Sequence, residues 1–126
     1  MNTQTYTPGV CNIGPAEIAL RKRVGWVSAS FSVLLLIVLW VTHAPVIWRL
    51  VLFFPFTAAA IGFLQTAFHF CVGYGLSGMY NVLKPAGKAE SVEKSEYRNA
   101  DRIKSVQILL YSIIIGIILA VSITLI

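Results

Sequence analysis

The sequence predicts an all-α integral membrane protein with three transmembrane helices: an antiparallel hairpin, then a third helix with a cytoplasmic extension. Three observations predict it. Residues 24–41, 46–70 and 106–126 are apolar runs of roughly 18 or more residues, with at most one charge each. At 1.5 Å per helical residue, each is long enough to cross a hydrocarbon core of about 30 Å. The ten Lys and Arg residues are unevenly placed: Arg21, Lys22 and Arg23 precede the first run, and Lys84, Lys88, Lys94, Arg98, Arg102 and Lys104 lie between the second and third. Only Arg49 lies near the connection between the first two. Basic residues flanking spans collect on the cytoplasmic side, which predicts an inner-membrane protein with a cytoplasmic N-terminus and an external C-terminus. Third, Trp26 falls at the inner interface of that layout and Trp40 and Trp48 at the outer one, where amphipathic rings are favoured.

The chain reads as one membrane domain, 1–126. Residues 1–14 read as an extended cytoplasmic arm, since Pro8 and Gly9 interrupt any regular element. Pro15 at a first helical position and Glu17 in the first turn open a helix predicted over 15–42, which contains span 1. The basic cluster lies about twenty residues in, and no small-residue cleavage site follows the apolar run, so span 1 is expected to stay as an anchor. His43-Ala44-Pro45 leaves room only for a tight turn. Span 2 is predicted over 45–73, kinked at Pro55, where a backbone hydrogen bond is missing. It is expected to loosen at Gly73, Gly75 and Gly78. Residues 81–105 form a cytoplasmic loop and helix extension, with Pro85 and Gly87 in the loop. Ser91 is the expected cap, and Arg98–Asp101 and Asp101–Lys104 are the expected i,i+3 pairs. Span 3 follows at 106–126.

Within lipid, helices associate where small residues let backbones approach. Ser112, Gly116, Ala120 and Thr124 repeat every four residues in span 3. Ala58, Gly62 and Thr66 do the same in span 2, with Gln65, His69 and Gly73 on that side. Span 1 offers only Ser28 and Ser32. Three helices bury only part of their perimeter among themselves, so packing against other membrane subunits or a second copy is expected.

Composition excludes more than it identifies. The net charge of +5 is accounted for by basic residues held near anionic headgroups, so the expected partners are the lipid bilayer and other membrane subunits or self, and no nucleic acid. No Ser/His/Asp arrangement, zincin pair or carboxylate dyad is present, so no enzyme is expected. No carboxylate lies in any span, which disfavours autonomous ion transport. Cys11, His69 and Cys71 are the candidate metal ligands, for Zn, Cu(I) or iron, with reduced cytoplasmic thiols. His69 is the candidate cofactor-binding residue, as a haem axial ligand. Against such a site, residues two apart on a helix point about 200° apart, and three ligands are fewer than a closed zinc site uses. The plainer reading makes Cys71 a small core residue and His69 a hydrogen-bonding partner of Gln65 or Tyr111, with no cofactor. The function expected is that of an accessory, assembly or scaffold subunit of a larger membrane complex or homo-oligomer. The alternative is a small metal- or haem-binding redox protein using His69 with Cys71 or Cys11. A homo-oligomeric channel lined by Gln65, Thr66 and His69 is a further, lesser reading.

Overall fold

Helix α1 (Pro15–Val41) begins as the first residues dictate, with Pro15 at its N-terminus and Glu17 in its first turn. In the computed structural model, which describes residues 6–82 and 87–126, it runs unbroken through the basic cluster into the first apolar run. Lys84 and Pro85 of the predicted loop, and the first five residues of the arm, lie outside the described residues. A 3₁₀ segment (Val46–Leu52) then leads into α2 (Phe53–Phe68), followed by a short α3 (Val72–Ser77) and a ribbon of β1 (Met79–Tyr80) and β2 (Glu90–Ser91). Helix α4 (Ser95–Leu125) closes the chain. Three of these stretches, Pro15–Val41, Val46–Phe68 and Ser95–Leu125, are helical, long and apolar enough to span a membrane. The 31 residues of α4 extend about 46 Å, so its first turns project beyond a hydrocarbon core.

Several local expectations are corrected. The arm is not extended at residues 7–10, where it turns: Val10 N–H bonds the Thr7 carbonyl at 3.0 Å, with Gly9 at φ +71°. Pro at the second and Gly at the third position is the order a type II turn demands. Pro55 does not kink a continuous helix. It falls in the first turn of α2, and the preceding residues wind as 3₁₀ helix. In an α-helix the missing N–H of Pro55 would leave the Val51 carbonyl without a donor. At the 3₁₀–α junction that carbonyl is taken up by a backbone N–H instead.

Span 2 also ends earlier than predicted, at Phe68 rather than at 73. His69 turns left-handed (φ +54°), Phe70 N–H bonds the Gln65 carbonyl at 3.0 Å, and His69 N–H bonds the Thr66 carbonyl. Those two bonds make a Schellman stop. The end of α1 repeats it: His43 has φ +55°, Ala44 N–H bonds the Leu39 carbonyl and His43 N–H that of Trp40. Both histidines of the chain are therefore helix-stop residues.

Ser91 does not cap α4. It pairs with Met79 in the ribbon, and Lys94 precedes the helix without a side-chain cap bond. Asp101 does not pair with Arg98 or Lys104. Its carboxylate faces the arm, Arg98 Nε donates to the Val92 carbonyl, and the Lys104 ammonium lies 4.2 Å from the centre of the Phe68 ring.

Helix α2 packs against both α1 and α4. A Cβ on Gly62 would lie 2.6 Å from the Gly25 backbone nitrogen and 2.8 Å from its Cα, so the two backbones meet. Trp26 packs edge-on to Phe63 beside that crossing, with ring centres 5.3 Å apart. On the other side, a Cβ on Gly116 would lie 2.0 Å from Thr57 Oγ1. That oxygen is buried without a conventional partner and sits where only a Cα hydrogen leaves room, the geometry of a weak Cα–H···O contact. The buried residues of α4 are Asp101, Ser105, Ile108, Ser112, Gly116 and Ala120, a single stripe. Ala58 and Thr66 of α2 are half-buried. Four other hydroxyls within the spans bond their own helix: Ser32 to the Ser28 carbonyl, Thr66 to Gly62, Ser112 to Ile108 and Thr124 to Ala120. This satisfies those four groups without a partner chain. At the turn end, Arg49 donates to the Ile123 carbonyl at 3.1 Å, one of the carbonyls a helix terminus leaves unpaired.

Candidate functional site

The residues able to do chemistry gather at the end of the bundle opposite the 42–45 turn, where the arm, α3, the ribbon and the first turns of α4 form a cap. Its floor is apolar: Phe70, Val72 and Ile108 are buried together, with Leu64, Phe68 and Leu109 packed against them. Ending α2 at Phe68 exposes the backbone groups of 69–72, and each must find a partner. Gln65 Oε1 accepts the Val72 N–H at 2.8 Å. Asn12 Oδ1 accepts the Cys71 N–H at 2.6 Å, and Asn12 Nδ2 donates to the Cys71 carbonyl at 3.1 Å. The Asn12 backbone N–H bonds the His69 carbonyl, its carbonyl takes the Asn81 N–H at 2.9 Å, and Gly14 N–H returns to the Asn81 carbonyl. The arm is thus a strand-like seam between the break and the ribbon. Gly14 is required there, since a Cβ would fall 1.7 Å from the Val82 carbonyl oxygen.

Two buried carboxylates fasten this cap. Glu17, 1% exposed, pairs with Arg21 one turn on and accepts from Tyr74 Oη, from Asn81 Nδ2 at 2.9 Å and from Gly87 N–H at 2.8 Å. A charge removed from water needs this density of partners. The Arg21 guanidinium also reaches Cys71 Sγ at 2.8 Å and lies 5.5 Å from the centre of the Tyr74 ring. Burial, and then the bond to Glu17, push the Tyr74 hydroxyl up to about 12. Asp101 is fully buried; it accepts Tyr6 Oη at 2.6 Å and Gly9 N–H at 2.7 Å. Burial, followed by that bond to Asp101, holds the Tyr6 hydroxyl above the ordinary tyrosine range. Ser105 donates to the Asp101 carbonyl at 2.8 Å, and Gly75 approaches so closely that a Cβ would overlap the Ser105 hydroxyl. A carboxylate whose lone pairs are occupied by donors is poorly placed to accept a substrate proton. The arrangement holds segments together.

The predicted ligand residues fall as follows. Cys71 is buried, with its thiol against Arg21; Cys11 is half-buried, with its thiol on the Ile13 carbonyl; the two are not joined in a disulfide. Burial raises the Cys11 thiol above its usual value. His69 presents an exposed side chain from the helix stop. Among the described residues, no three His, Cys, Asp or Glu side chains are placed to hold a metal ion, so Cys11, His69 and Cys71 are not assembled as a ligand set. The end of α2 at Phe68 is the reason, since it turns His69 outward while Cys71 turns in. Gln65 uses its side-chain oxygen on Val72, and Tyr111 is exposed on α4.

Sequence reasoning missed the polar centre of the cap: Asn12, Asn81, Gln65 as a cap, and Glu17 and Asp101 as buried acceptors. It read Glu17 only against its own helix and Asp101 only against its i,i+3 neighbours. The signal that was available is their position, since each carboxylate lies just outside an apolar run. Comparison of the chain with protein-family models, with curated proteins and with solved structures finds no match.

Proposed function

We propose that this chain is an accessory or assembly subunit of a larger membrane complex, or of a homo-oligomer, held in the cytoplasmic membrane with its cap in the cytoplasm and its C-terminus outside. What supports the reading is where the polar chemistry is used. The polar groups of Glu17, Arg21, Asn12, Gln65, Asn81 and Asp101 bond within the cap, and the Ser32, Thr66 and Ser112 hydroxyls within the spans bond their own backbones. The small stripes are used inside the chain, Gly62 against Gly25 and Gly116 against Thr57. Along residues 24–41 of α1 and 108–125 of α4 the outward faces are largely apolar, with Trp26, Phe31, Leu34, Leu110, Ile114 and Ile118 all exposed. Such faces meet lipid or other membrane helices.

The basic asymmetry around the spans supports the orientation. Extraction in mild detergent, followed by native mass measurement and identification of co-purifying chains, tests the function. A particle well above the 13.9 kDa chain with stoichiometric partners or copies is expected. A monomer at native expression level would overturn the reading. Reporter fusions at 88–102 that read as external would overturn the orientation.

A further inference from the structure

Along the outer side of α1 runs a groove with a basic head and an apolar body. Trp26, Val27, Ser30, Phe31 and Leu34 line it and enclose about 400 Å³. At 100° per residue it lies opposite Gly25, the residue that meets Gly62 of α2, so it faces away from the bundle. From Trp26 to Leu34 it runs about 12 Å at 1.5 Å per residue. That is close to one leaflet's share of a hydrocarbon core about 30 Å thick. Positions 22, 26, 30 and 34 form one four-residue row of the helix and 23, 27 and 31 the next, so Lys22 and Arg23 stand at the head of the groove. Side chains on a helix lean toward its N-terminus, which carries both charges away from the apolar body. Both residues are exposed, and among the described residues neither has a hydrogen bond or ion pair. The carboxylate nearest them in sequence, Glu17, is taken by Arg21. The head of the groove therefore holds two cations and no carboxylate. A phosphate above and a hydrocarbon chain below is the chemistry of an anionic phospholipid. An acidic peptide would suit the two charges, but not the groove beneath them, which lies within the apolar run 24–41.

We propose that this face of α1 holds an anionic phospholipid, with its phosphate on Arg23 and Lys22 and one acyl chain along Trp26, Phe31 and Leu34. The guanidinium and ammonium supply the preference for an anionic headgroup, and the leaflet-deep groove supplies the preference for a lipid over a free phosphate. The proposal rests on the chain lying in a bilayer, and on neither its orientation nor its assembly. It and the accessory-subunit reading therefore fail separately: a chain that proves monomeric would sink that reading, whereas the lipid measurement still decides the groove.

The test is the fluorescence of Trp26, isolated by Trp40→Phe and Trp48→Phe, with the full chain in phosphatidylcholine vesicles. Phosphatidylcholine or phosphatidylglycerol with brominated acyl chains is then titrated in, since bromine quenches an indole only at close contact. Phosphatidylglycerol is expected to quench at a mole fraction lower by roughly fivefold or more, the effect of one or two basic residues at an anionic headgroup. Arg23→Gln should reduce that preference severalfold, and Arg23→Lys should keep it. Arg102→Gln removes the same charge from an exposed position on α4 and should leave the preference unchanged, which separates a local site from the net charge of +5. Equal quenching by the two lipids, or equal loss in Arg23→Gln and Arg102→Gln, would each overturn the proposal. So would quenching by neither lipid, the result that a second helix seated on this face would give.

Discussion

Asn12 grips Cys71 by both halves of its backbone, accepting from its N–H at 2.6 Å and donating to its carbonyl at 3.1 Å. One amide side chain thus does the work of a β-bridge between the arm and the break after α2. The partners are buried, so truncation leaves a donor and an acceptor without water to replace them. Asn12→Ala is expected to destabilise the cap by about 2–4 kcal/mol. Asn12→Asp should do comparable harm, because it keeps the acceptor and replaces the donor with a repelling oxygen. Denaturant unfolding in mild detergent, with amide exchange at 70–82 as the local probe, checks both.

The two histidines yield an unusual expectation. His43 and His69 both end helices at φ near +55°, where glycine carries no Cβ penalty and other residues carry about 1 kcal/mol. His43→Gly should be neutral or stabilising by up to about 1 kcal/mol. His69→Val should be destabilising by more than that, since a β-branched side chain tolerates this conformation worst. Thermal unfolding of the two variants checks both expectations.

Helix contact within the spans should depend on single hydrogens. Gly62→Ala places a methyl group against the Gly25 backbone, and Gly116→Ala places one on Thr57; overpacking of this kind costs about 1–3 kcal/mol. Ile118 is 58% exposed, so Ile118→Ala should stay within about 0.5 kcal/mol. Unfolding in detergent ranks the three. Similar values would argue that the helix contacts are looser than the structure has them.

The Tyr74–Glu17 bond carries a pH signature. A hydroxyl raised from the ordinary value of 10.0 to about 12 on folding binds its proton more tightly in the folded state than in the unfolded one. Its contribution is therefore fully present below pH 10 and is lost as pH rises through about 12. Tyrosinate absorbance should show two late-titrating tyrosines in the intact chain, Tyr6 and Tyr74. Tyr74→Phe should remove one of them and lower stability at neutral pH. Glu17→Gln should bring Tyr74 back toward 10.

Three apolar runs, spaced by a four-residue turn and a longer polar loop, were enough to specify three helices long and apolar enough to span a membrane. That conclusion needs only chain length and the cost of leaving backbone unpaired in hydrocarbon. The four-residue spacing of Gly62 and Gly116 could likewise be written down from the sequence. What each glycine meets could not, and Gly25, the partner of Gly62, was passed over although Ala29 and Ser32 follow it at i+4 and i+7. The end of α2 at His69 was equally hidden, because left-handed histidine is permitted in many places and chosen in few. The cap was legible least. Asn12 and Cys71 are 59 residues apart in the chain, Glu17 and Asn81 are 64, and Tyr6 and Asp101 are 95. Hydrophobic pattern reports which residues leave water. Which polar group satisfies which is set only when the tertiary structure brings distant segments within about 3 Å.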